Sequence, residues 1–140
     1  MKKIVYREIE RYKYQLRYDY HIKTKLKPKV NIVIDDYIIL QTNGMLSIFK
    51  GYCWDGPSGP TIDTKNFMRG SLVHDALYQL MRAGLLDIKH RDYADRLLQK
   101  ICKEDGMNCF RAWYVYQAVS KFAKSSAVPQ NNEPKILEAP

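Results

Sequence analysis

At 140 residues, 46% of them hydrophobic, the chain is long enough for one domain with one core and too short for two. That hydrophobic content excludes disorder along the whole length, and no apolar run approaches the ~20 residues of a membrane span. The net charge of +8 is lopsided: residues 1–29 hold ten Lys/Arg against three Asp/Glu, and the remainder is close to neutral. A basic segment of this kind points to an anionic partner, or equally to lysines that keep an edge strand soluble.

Met1–Tyr6 begins like a signal peptide, but Arg7, Glu8 and Glu10 end the apolar stretch at once. The product is therefore expected to stay in the cytoplasm where it is made. From Lys13 to Lys27 the residues alternate with period two. Tyr14, Leu16, Tyr18, Tyr20, Ile22, Thr24 and Leu26 share one face, and the charged residues share the other. This predicts one strand, or two with a break, stopped by Pro28. The alternation puts tyrosines and lysines on opposite faces, which disfavours a nucleic-acid binder. Tyr37–Thr42, Asn43-Gly44 and Met45–Lys50 read as a hairpin closed by a type I′ turn.

Gly51–Pro60 carries three glycines and two prolines, a composition that predicts neither helix nor regular strand. Helical spacing then runs over Asn66–Ala83 with Gly84 as its stop, over Arg91–Asp105 with Gly106, and from Asn108, a cap, to Lys124. The plan is α+β: an N-terminal antiparallel sheet with its hairpin, a glycine-rich loop, then three helices. Residues 1–124 form the expected domain. Ser125–Pro140, polar and with three prolines, is expected to be an extended arm that meets a partner. Cys53, Cys102 and Cys109 make no disulfide framework and no zinc signature, so reduced and mostly buried thiols are expected.

Chemistry concentrates after the loop. His74 and Tyr78 are four apart and share a helix face, with Asp75 turned about 100° away. Asp95, one turn before Leu98 and two before Cys102, is a carboxylate at the edge of an apolar face and needs partners. If the two helices pack antiparallel, Asp95 can accept from an imidazole and a phenol together and fix the tautomer of His74. The neighbouring loop offers carbonyls that, with a carboxylate, suit a hard cation. The alternative is a buried hydrogen-bond network that ties helices to a loop. Trp113, Tyr114 and Tyr116 are expected in the core or at partner contacts, and His21 and His90 in solvent.

The run Gly51-Tyr52-Cys53-Trp54-Asp55-Gly56-Pro57-Ser58-Gly59-Pro60, then His74-Asp75-Ala76-Leu77-Tyr78, then Ala94-Asp95, resembles the phospholipase A2 core. That core has a Tyr-x-Gly-x-Gly-Gly calcium loop, a His-Asp-x-x-Tyr helix and an aspartate on the next helix. The phospholipase domain of parvoviral capsids has a similar arrangement. The resemblance implies that His74 activates water, Asp95 orients His74 and Tyr78 braces Asp95. It also implies Ca2+ held by Asp75 and the carbonyls of Trp54, Gly56 and Ser58, to which Asp55 adds a charge. The chain departs from that family at Ser58, at Pro57 and in lacking its disulfides.

Residues 35 to 124 also resemble small phage and prophage proteins of uncharacterised function. These share a Gly-aromatic-x-x-Asp-Gly-x-Ser-x-Pro loop, a His-Asp-x-Leu-Tyr helix and an Ala-Asp helix. Two functions follow as expectations. One is a bacteriophage accessory protein, a virion-associated or assembly component bound to other phage structural proteins. The other is a calcium-dependent phospholipase A2-like esterase, its basic sheet face on an anionic membrane surface.

Overall fold

The structure is a computed structural model, and it describes residues 3–8, 14–55 and 64–122. Among the described residues seven short strands come first: β1 (Tyr6–Glu8), β2 (Tyr14–Leu16), β3 (Tyr20–Lys23), β4 (Ile32–Ile34), β5 (Ile38–Leu40), β6 (Met45–Ile48) and β7 (Cys53–Trp54). Helices α1 (Lys65–Arg82), α2 (Arg91–Glu104) and α3 (Cys109–Phe122) follow, with one 3-10 turn, Ile88–His90, before α2. The fold is α+β, with antiparallel strands and then helices.

The strands form two sheets, ordered β1-β2-β7 and β3-β6-β5-β4. The alternating segment thus divides at residues 17–19, and its halves join different sheets. Tyr14, Leu16, Tyr20, Thr24 and Leu26 are buried as the alternation demands, whereas Tyr18, at the break, is 67% exposed. Gly51–Pro60 departs from expectation: Cys53–Trp54 pairs with β2 in the register Tyr14↔Trp54. Trp54 forms this edge because its ring packs with Tyr6, Tyr14 and Tyr52 at centroid distances of 5.9, 5.6 and 6.4 Å. A second strand absent from the sequence reading is β4, which pairs with β5 across a turn where Asp35 takes φ 44°.

The hairpin between β5 and β6 is real, but its turn is not type I′. Among the described residues only Asp35 is a non-glycine with positive φ, so Asn43 is not left-handed. Leu40 faces Leu46, the Gly44 amide donates to the Gln41 carbonyl at 2.9 Å, and Gly44 alone has φ +95°. This is a three-residue loop ending in a left-handed glycine. Asn43 instead accepts the Met45 amide on Oδ1 at 2.9 Å. The Gly44 carbonyl accepts both the amide and the hydroxyl of Thr24, at 2.8 and 2.7 Å. A Cβ at Gly44 would lie 2.4 Å from the Thr24 carbonyl oxygen, so the hairpin tip is fastened directly to the chain leaving β3.

Helix α1 ends where the glycine predicts. Gly84 (φ +76°) donates to Met81, and Leu85 donates back to Leu80 at 3.0 Å, which satisfies the terminal carbonyls. The same bonding ends α2 at Gly106. Asn108 caps α3, its Oδ1 accepting the Arg111 amide at 2.8 Å. The reversed chain direction packs α1 against α2. Leu72, Val73, Ala76, Leu77 and Leu80 from α1 meet Ala94, Leu98, Ile101 and Cys102 from α2 in one buried cluster that continues into the sheets.

Helix α3 differs from expectation in its aromatic content. Its buried side is the small-residue stripe Ala112, Val115, Val119, while Trp113 and Tyr114 are 51% and 43% exposed. Tyr116 bonds Asp92 on α2. The cysteines are free, but only Cys102 is buried; Cys109 is exposed and Cys53 half-buried. Among the described residues no helix is long and apolar enough to cross a membrane. The arm 125–140 lies outside the described residues.

Candidate functional site: a buried histidine, aspartate and tyrosine

Helical spacing stacks the rings of His74 and Tyr78 on one face of α1, their centroids 4.1 Å apart. The facing α2 brings in Asp95. Its Oδ1 lies 2.7 Å from Nε2 of His74 and accepts the Tyr78 hydroxyl at 2.6 Å. Asp95 is 1% exposed, Tyr78 3% and His74 5%, so all three are withdrawn from bulk water. A carboxylate so buried must accept hydrogen bonds, and this one makes Nε2 the donor of His74. The second ring nitrogen, Nδ1, is then the basic atom in the neutral imidazole. It faces Oδ1 of Asp75 at 3.8 Å, beyond direct hydrogen bonding.

The electrostatics follow from that geometry. Burial alone lowers the pKa of His74, but the attraction of Asp75 and the bond to Asp95 outweigh it and hold the ring above the ordinary histidine value. Burial and the bond to Asp95 push the Tyr78 phenol well above its usual range, so it stays a donor. Asp75 is one-third exposed at its side chain. Its pKa is raised, chiefly by loss of hydration; His74 opposes the rise and the negative charge of Asp55 adds to it.

Helix and loop are joined by side chains that the sequence motif did not single out. The indole Nε1 of Trp54 donates to Oγ of Ser71 at 3.1 Å, and Oγ of Ser71 donates to the Met68 carbonyl at 2.8 Å. Ser71 precedes His74 by three residues, so the strand that ends at Trp54, just before Asp55, is anchored one turn below the imidazole. The Tyr52 hydroxyl donates to Gln79 at 3.0 Å. Arg91, one turn before Asp95, places Nη1 4.0 Å from its other oxygen, Oδ2, and donates to the Ser120 carbonyl at 2.9 Å. The i,i+4 spacing of Arg91 and Asp95 was a signal for this pair; nothing local pointed to Ser71.

The predicted catalytic residues His74, Asp95 and Tyr78 thus come together. Of the predicted metal ligands, Asp75 and the exposed Asp55 lie beside them, and Trp54 is buried in the adjoining strand. Gly56 and Ser58 lie outside the described residues. Among the described residues no three His, Cys, Asp or Glu side chains converge as a metal site.

Fold and site together define a small α+β protein whose antiparallel helix pair encloses a carboxylate–histidine–tyrosine group next to strand β7. The chain belongs to the family described as "Protein of unknown function (DUF1353)", whose sequence model matches residues 32–119. No curated protein and no solved structure matches it.

Proposed function

We propose that His74, Asp95 and Tyr78 form a water-activating site that hydrolyses a carboxylic ester of an anionic phospholipid, in the manner of phospholipase A2. The observation that carries this reading is the division of labour on one imidazole: Nε2 is held by Asp95 at 2.7 Å, which leaves Nδ1 as the base. Neutral His74 takes a proton from water at Nδ1 while the resulting hydroxide forms its bond to the ester carbonyl carbon. Asp95 stabilises the imidazolium, and Tyr78 keeps Asp95 oriented. The proton then passes from Nδ1 to the departing alkoxide as the ester bond breaks.

The described donors fit a hard cation in part, since Asp75 is a carboxylate that feels the negative charge of Asp55. Bound calcium would supply positive charge for the developing oxyanion. The excess of basic residues over residues 1–29 suits an anionic lipid surface.

A second reading is favoured by the near-complete burial of His74. In it, the same three side chains clamp α1 to α2 without chemistry, in an accessory or virion component of a bacteriophage. Fatty-acid release from phosphatidylglycerol vesicles with calcium separates the two. The hydrolytic reading expects release that His74→Gln and Asp75→Asn each abolish while both variants stay folded. Absence of release by the wild-type protein, with thermal stability lowered in His74→Gln, replaces it with the clamp.

A further inference from the structure

On a different side of the molecule, the chain leaving β3 and the entrance to α2 enclose a cleft of about 430 Å³. Its floor holds Leu26 and Leu86, both buried, and its walls carry Lys25, Lys27, Lys89 and His90. Among the described residues no acid lines it. Tyr93, also in the wall, accepts the Lys25 amide on its hydroxyl at 3.0 Å, which fixes the lysine-bearing segment to α2 and leaves the phenol proton to donate. Tyr93 and Asp95 are about 200° apart around α2, so the cleft opens away from His74.

The acids nearest in sequence are hydrogen-bonded outside the lining. Asp87 accepts the Lys89 amide, and Asp92 takes the Tyr116 hydroxyl on one oxygen and Arg96 on the other. Three lysines around one concavity repel one another, and low-dielectric walls concentrate their field. A face kept merely soluble intersperses both signs of charge. A single carboxylate neutralises one of three positive charges, whereas a phosphate group or a diphosphate offers the several charges and acceptor oxygens that lysines match as point charges. The volume suits a small molecule, and the leucine floor suits an apolar portion next to the charged group.

We propose that this cleft binds a phosphate-bearing small molecule, with Lys25, Lys27, Lys89 and His90 around the phosphate and Tyr93 as a hydroxyl donor. The proposal does not rest on hydrolysis at His74. The phosphate belongs either to a soluble compound or to a phospholipid headgroup.

Pyrophosphate, titrated into the full chain and followed by amide NMR and calorimetry, tests it. Binding is expected to move resonances of residues 25–28 and 86–93. The Lys27→Gln/Lys89→Gln pair should weaken it about tenfold or more, as loss of two charge-assisted contacts requires. Lys103→Gln, which removes an exposed charge at the far end of α2, should leave it unchanged. Competition between pyrophosphate and phosphatidylglycerol vesicles assigns the headgroup as the source, and pyrophosphate binding without competition assigns a soluble compound. No localised shifts up to about 10 mM, a concentration that still reveals millimolar affinity, overturn the proposal. So does equal weakening by Lys103→Gln, since attraction would then follow net charge alone.

Discussion

At the scale of single residues, one oxygen of Asp95 holds two other side chains, and this makes the position sensitive to small changes. Asp95→Ala leaves a buried imidazole and a buried phenol without their acceptor, and its expected cost is about 3–5 kcal/mol in urea unfolding. Asp95→Asn retains an acceptor but removes the charge that helps raise the His74 pKa, so NMR titration should show that pKa fall. The sign for stability follows from the upward shift. Because the folded pKa of His74 lies above the unfolded value, its ion-pairing stabilises fully below about 6.5, the ordinary value, and fades as pH rises through the folded pKa. The Tm difference between wild type and His74→Gln should therefore shrink from acidic to alkaline pH. A difference that grows instead means that folding lowers the His74 pKa.

Between elements, the distance of closest approach of α1 and α2 is set at Gly70. A Cβ there would lie 2.8 Å from Cδ1 of Leu98, 3.0 Å from Sγ of Cys102 and 3.3 Å from the Leu98 carbonyl oxygen. Leu98 and Cys102 are buried, so they can yield only by displacing the side chains packed around them. Gly70→Ala gains about 1 kcal/mol of helix propensity, yet overpacking a tight contact costs about 1–3 kcal/mol. Net destabilisation is expected in chemical denaturation, together with a changed His74–Asp95 geometry that NMR of the imidazole detects. A stabilised variant would mean that the helices separate easily, and the buried site with them.

Across the whole molecule, the second sheet and the helices are joined by Arg69. Arg69 is 4% exposed, and its guanidinium donates to the Tyr20 hydroxyl on β3 at 2.9 Å, to Glu104 at 3.0 Å and to Asp105 at 3.0 and 3.1 Å. Arg69→Ala strands these acceptors and opens a gap where strand and helix ends meet. A loss of about 3 kcal/mol is expected in urea unfolding. Arg69→Lys, which cannot reproduce the fork to two carboxylates and a phenol, should recover only part of it. A loss below about 0.5 kcal/mol, the range of an exposed pair, would show that the bridge is not a structural joint.

Read residue by residue, the chain determined what periodicity and local chemistry can encode. The three helices with the glycine stops of the first two, the buried face from Tyr14 to Leu26, and the His74–Tyr78 pair with Asp95 as its expected partner were all legible. They were legible because side chains three or four apart share a helix face, and because a carboxylate on an apolar edge must be satisfied. Tertiary structure alone decided what depends on distant partners. Only the aromatic packing around Trp54 makes a strand of a glycine-rich segment, and Thr24 meets Gly44 at a backbone distance that no local pattern specifies. Ser71, Arg69 and the basic cleft unite residues 17 to 68 positions apart. Such contacts form because burial rewards the whole chain at once, so no short stretch of the sequence contains the reason for them.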